Sequence, residues 1–250
     1  MNHQTDHAKW RTLYYAGAVA PLIALFFYLF EFSILFLGEP YPSNTEGWYT
    51  LIQRSKLLSL WYLNALDILS FALLGIMFLA LYVALRRVRR SWMLIALYLA
   101  LLGVVVFIVP RVLHLSLLPL SDMHAAATTD AQRTIYLAAG EALSQVSSAT
   151  PQTLGFLLLA VAGSIISVVI LRSQFVGKSV ALSKAAGYVG IAGFIAALTN
   201  YVSRLLAPPI AEILMPINGL LWFAWWILVS VNLFKLAKKT SAEGSEATVG

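Results

Sequence analysis

The chain has 250 residues, 60% of them hydrophobic and only 11% charged, with a mean hydropathy of +0.81. A water-soluble domain carries about a quarter charged residues, so that class is excluded, and repeated apolar runs of about 20 residues leave membrane helices as the economical reading. The net charge of +6 comes from residues beside the ends of those runs, which points to membrane topology and away from nucleic acid. No cysteine is present, so disulfides, thiolate metal sites and cysteine nucleophiles are excluded too.

Taken in chain order, the spacing predicts an all-α polytopic membrane protein with six spans: 13–37, 61–85, 91–115, 152–171, 184–206 and 216–235. His3 and His7, spaced i,i+4 before the first span, read as tail residues and not as a metal site. The apolar stretch Leu13 to Leu37 is too long for the core of a signal peptide and is expected to be a span. Between spans 1 and 2, Glu39-Pro-Tyr-Pro-Ser-Asn-Thr45 is turn-rich. Trp48, Tyr49, Leu51, Ile52, Leu57 and Leu58 follow, interleaved with Gln53, Arg54 and Lys56. That mixture predicts a short interfacial helix with aromatic anchors.

Between spans 3 and 4, Asp122 and His124 with His114 are weighed as metal ligands and read instead as exposed loop residues. Thr129-Asp-Ala-Gln132 resembles a capping box, and the amphipathic helix it opens should run through Ala149. Thr150-Pro151 then has the form of an N-cap followed by a first-turn proline, restarting the chain as span 4. Ala207-Pro-Pro209 should end span 5 and Pro216 start span 6. The domain is expected to cover 1–239, with 240–250 a disordered cytoplasmic tail.

The basic clusters Lys9/Arg11, Arg86 to Arg90, Arg172/Lys178/Lys184 and Lys235/Lys238/Lys239 all fall on one side of this six-span pattern. The positive-inside rule makes that side cytoplasmic, with both termini inside. From these clusters inward, Arg11 to Glu31, Asp67 to Arg86, Arg90 to Arg111 and Lys184 to Arg204 are each about 19 to 21 residues apart. At 1.5 Å per residue that is roughly 30 Å of helix, so two acids and two bases share one depth near the outer face.

Neighbouring polar residues join the layer. Asn64 lies three residues before Asp67, His114 three after Arg111, Asn200 four before Arg204, and Asn218 near the outer end of span 6. Glu141, Gln145, Ser148 and Gln152 form a polar stripe leading the same way. With Tyr28, Trp61, Tyr201 and Trp222 as walls, inward-facing residues would make an outward-opening pocket. Glu31 is expected to pair with Arg111 or Arg204, and Asp67 with the other arginine, because an unpaired carboxylate facing lipid costs several kcal/mol. The competing reading is a structural ring of ion pairs with arginines snorkelling to outer headgroups.

Tyr98 to Leu120 aligns without gaps on Tyr188 to Ile210, a faint sign of hairpin duplication. Gly155 and Gly163 in span 4, and Gly187, Gly190 and Gly193 in span 5, read as close helix contacts. No Walker, GxSxG or HExxH motif is present, and no cofactor is expected.

The stretches Thr153-Leu-Gly-Phe through Val168-Val-Ile-Leu-Arg172-Ser, Gly187-Tyr-Val-Gly-Ile-Ala-Gly193 and Ile213-Leu-Met-Pro-Ile-Asn-Gly-Leu-Leu-Trp-Phe-Ala-Trp-Trp226 carry a resemblance. With Tyr15-Ala-Gly17 and Glu31, they resemble six-span bacterial proteins of the domain-of-unknown-function 4386 family. The resemblance implies a bacterial inner-membrane protein and brings no activity with it. The resemblance does not extend to residues 116–150.

Three functions fit the sequence. One is binding of a small amphipathic or lipid-like ligand by Glu31, Asn64, Asp67, Arg111, His114, Asn200, Arg204 and Asn218. A second is intramembrane catalysis on a lipid or isoprenoid with Glu31 and Asp67 as paired acids. The third is a structural role beside another membrane protein.

Overall fold

The computed structural model describes residues 9–38, 40–148, 150–173 and 180–246. Its elements are α1 (Arg11–Leu37), α2 (Thr45–Arg54), α3 (Lys56–Tyr62), α4 (Ala65–Leu85), α5 (Arg90–His114), α6 (Leu117–Ala125), α7 (Asp130–Ser148), α8 (Thr150–Arg172), α9 (Val180–Leu206) and α10 (Pro208–Glu246). No strand occurs among the described residues, so the protein is all-α.

Among the described residues, six helices contain stretches long and apolar enough to cross a membrane. Going round the bundle, α1 packs on α4, α4 on α5, α5 on α8, α8 on α9, α9 on α10, and α10 back on α1. The ring therefore closes in chain order, as short connections between antiparallel neighbours require. Tyr14, Phe71, Met77, Phe107, Phe194 and Trp225 fill its centre with almost no exposure. The outside is equally apolar: Phe26, Tyr98, Val105, Tyr188, Ile195 and Leu220 are each more than half exposed. Water would not tolerate that surface, and lipid would.

The glycines of α5, α8 and α9 explain how closely these helices approach. A Cβ on Gly103 would sit 2.9 Å from the Gly155 carbonyl oxygen, and one on Gly155 3.1 Å from the Gly103 carbonyl. Gly163 faces the Phe194 ring, which occupies the space a side chain would take. Without a hydrophobic driving force between helices in lipid, such small-residue contacts supply the packing.

At the end away from the basic clusters, α2, α3, α6 and α7 form a cap over the ring. Where one interfacial helix was expected, there are two. Ser55 ends α2, and its Oγ accepts from Leu58 N at 3.2 Å to start α3. Asn64 then takes a left-handed conformation, φ 56°, which separates α3 from α4 and moves the start of span 2 from 61 to Ala65. Asparagine tolerates that conformation better than most residues.

Asp122 and His124, expected in an exposed loop, lie on α6. That helix forms because Leu117 and Ser121, one turn apart, are buried against the cap. Asp122 pairs with Lys56 at 2.7 Å and accepts from Gln53 at 3.1 Å, and the His124 ring packs on Tyr49. The start of α7 departs from the capping box by one residue. Thr129 Oγ1 accepts from Gln132 N at 3.3 Å, whereas Gln132 Oε1 accepts from Thr128 N at 3.1 Å.

α10 begins at Pro208 and carries Pro216 inside it, eight residues earlier than the expected start of span 6. Prolines in a helix's first turn lose no hydrogen bond, so Pro208-Pro209 starts the helix. The same helix continues through Glu246, across most of the segment expected to be a disordered tail. His3 and His7 lie outside the described residues.

Candidate functional site

The site is built from the cap ends of three helices, α1, α4 and α5. Asp67, in the first turn of α4, is held by its local geometry: its N–H donates to the Asn64 carbonyl at 3.1 Å. Asn64 is fixed in turn by the Tyr41 hydroxyl, which donates to its Oδ1 at 3.1 Å. On the facing helix, Pro110 has no amide to give the Val106 carbonyl, which loosens the ladder one residue before Arg111.

Arg111 Nε lies 3.4 Å from Asp67 Oδ2, with both side chains about nine-tenths buried. The guanidinium also lies 5.3 Å from the centre of the Phe107 ring, an added cation–π attraction. One turn further into the bundle, Phe71 and Phe107 stack with centroids 3.6 Å apart. An ion pair and a ring pair are thus repeated at i,i+4 on the same two helices.

From α1, Tyr28 and the Glu31 carboxyl group both lie against the Asp67 carboxylate. Glu31 and Asp67 therefore meet directly, and Arg111 faces both. His114, one turn beyond Pro110, is 6% exposed and packs edge-on against Trp48 of α2 at 5.5 Å.

Several buried polar atoms here have no hydrogen-bond partner: Glu31 Oε1, Arg111 Nε and both ring nitrogens of His114; on α10 the same holds for Asn218 Oδ1 and Trp222 Nε1. Native interiors leave few such groups, and each asks for an explanation. Below them runs an aromatic array. Tyr28 packs on Phe223 and Trp226, Trp226 on Trp222, Trp222 on Phe156, and Phe156 on Tyr201 and Phe107.

The structure thus brings Glu31, Asp67, Arg111 and His114 to one place, with Asn64 beside them. Asn200 is engaged elsewhere: its Nδ2 donates to the Ala211 carbonyl at 2.7 Å and ties α9 to α10. The side chains of Arg204, Ser148 and Gln152 lie outside the described residues. Glu141 turns to the cap, accepting from Thr45 at 2.8 Å and Gln145 at 2.9 Å. Among the expected walls, Trp61 packs edge-on against Phe30.

Phe107 and Trp48 were not singled out for the site from the sequence. Phe107 is one turn from Arg111 on the same helix face, a signal that periodicity offers. Trp48 has none, because its place over His114 depends on how α2 folds back over the ring.

Fold and site define an integral membrane protein of six long apolar helices with a buried acid–arginine cluster under one cap. No known protein family, curated protein or solved structure matches the chain.

Proposed function

We propose that this is a multi-pass protein of the bacterial inner membrane, with both termini cytoplasmic and its capped end outward. On this reading, the cluster around Glu31, Asp67, Arg111 and His114 binds the polar head of a small amphipathic or lipid-like ligand. The observation that carries the reading is the set of buried polar atoms at one level that make no hydrogen bond. It offers an acceptor at Glu31, a donor at Arg111 and both kinds at His114. A head group with matched donors and acceptors would satisfy them, and the aromatic array would take its apolar part. Two cavities lie elsewhere, one of about 330 Å³ at the basic end and one of about 270 Å³ under Pro40, Pro42 and Tyr62. At the cluster, Trp48 of α2 packs on His114, so a ligand reaching that ring displaces Trp48.

A second reading rests on the direct meeting of the two carboxyl groups. Paired acids beside aromatic walls suit acid–base chemistry on a lipid or isoprenoid. Native mass spectrometry in mild detergent separates these readings from a structural role. A discrete bound mass in the wild type that folded Asp67→Asn and Arg111→Gln both lose supports binding. A bare wild type with variants that are only less stable makes the cluster structural. Conversion of the bound molecule by wild type and not by Glu31→Gln favours the enzyme.

A further inference from the structure

A second site lies at the opposite end of the bundle, far from the acid cluster. Where α5 begins and α8 ends, a cavity of about 330 Å³ opens on the outer surface between the two helices, lined by Arg89, Trp92, Ser164, Ile165, Val168 and Arg172 among others. That volume is within the range of small-molecule sites. Its charged rim and apolar floor are arranged by the helices themselves. Arg89 is the N-cap of α5 and offers no side-chain acceptor to the first-turn amides, and Arg172 stands in the last turn of α8. Trp92, one turn into α5, is 54% exposed, and Val168, one turn back along α8, is 39% exposed.

Neither α5 nor α8 carries an acid that could neutralise this pair. The sequence has no acidic residue between Asp67 and Asp122, nor between Glu141 and Glu212, which covers all of α5 and α8. Neither Arg89 nor Arg172 makes an ion pair among the described residues. Two arginines, an uncapped helix start and an interfacial tryptophan thus surround one apolar groove at the depth where lipid headgroups lie. Open first-turn amides and guanidinium groups are phosphate donors, and basic clefts between membrane helices suit anionic lipid heads.

We propose that this groove binds an anionic phospholipid, its phosphate held by Arg89 and Arg172 and one acyl chain lying along Trp92, Ile165 and Val168. A zwitterionic lipid brings a cation to the same place and gains less. The apolar floor distinguishes a lipid from free phosphate, which would leave it uncovered.

The test uses the full chain stripped of lipid in detergent, titrated with phosphatidylglycerol or phosphatidylcholine of identical acyl chains and read by native mass spectrometry. Two arginines at the surface predict a preference for phosphatidylglycerol of about 30-fold. Arg89→Gln with Arg172→Gln should abolish the preference, Arg89→Lys with Arg172→Lys should keep most of it, and Asp67→Asn should leave it intact. Val168→Trp fills the groove with both arginines present and should weaken phosphatidylglycerol binding, which decides the matter should the glutamine variant misfold. Equal retention of the two lipids by the wild type overturns the proposal. So does undiminished selectivity in a folded glutamine variant or in Val168→Trp, or displacement of the lipid by inorganic phosphate.

Discussion

Arg111 Nε stands 3.4 Å from the Asp67 carboxylate without forming a hydrogen bond to it. The guanidinium is shared between that carboxylate and the Phe107 ring, so its aim is a compromise between two partners. The pair is buried where a lone charge is costly, and breaking it from one side should cost more than removing it altogether. Asp67→Asn is expected to destabilise the protein by about 3 kcal/mol, and Asp67→Asn combined with Arg111→Met should recover most of that loss. Thermal unfolding in one detergent checks this. A double variant as unstable as the sum of the singles would mean the two residues act independently.

His114 offers a different balance. Neither ring nitrogen has a partner, so His114→Leu removes no hydrogen bond from the fold. Stability should stay within about 1 kcal/mol of wild type or rise, while the mass bound at the cluster should fall. A marked drop in melting temperature would instead reveal a structural bond to that ring.

The contact between α7 and α2 should weaken in acid. Gln145 and Thr45 both donate to the Glu141 carboxylate, and these bonds hold it below its usual range. A depressed folded value means the contribution is complete above about pH 4.5, the ordinary value, and is lost as pH falls through the lower folded value. The protection of α2 and α7 amides, taken relative to their intrinsic exchange rates, should therefore fall below that point. Thr45→Val should weaken the contact at neutral pH and reduce the acid sensitivity, whereas unchanged protection in acid would remove Glu141 from the docking.

Two glycines in membrane helices should respond differently. A methyl group at Gly163 runs into the Phe194 ring, whereas one at Gly219 meets nothing within 4 Å. Gly163→Ala should cost about 1 to 3 kcal/mol through overpacking. Gly219→Ala should be neutral or gain up to about 1 kcal/mol from helix propensity. Parallel melting curves decide it, and a gain at Gly163 would contradict the close approach of α8 and α9.

Topology is open to direct labelling because the chain has no native cysteine. Ala131→Cys on α7 and Lys238→Cys on α10 are both at exposed positions. A membrane-impermeant maleimide added to intact cells should modify the first and reach the second only after permeabilisation. The reverse pattern would invert the protein in the membrane.

Properties that depend on distance along the chain could be read without coordinates. The length of an apolar run sets whether it spans, because helix rise and bilayer thickness are fixed. The same arithmetic placed Glu31, Asp67 and Arg111 at one depth, and the structure brings them together. Depth says nothing of azimuth or of which helix is the neighbour. That Asp67 takes Arg111, and that Glu31 meets Asp67 directly, follows from the ring order α1–α4–α5. Asn200 shows the converse: at a suitable depth, it spends its amide on the Ala211 carbonyl because α9 and α10 meet there. The breaks at Ser55 and Asn64 and the seat of Trp48 over His114 likewise rest on packing. Backbone polar groups at a helix end are satisfied by whatever the folded chain brings near, and spacing along the sequence carries no record of that.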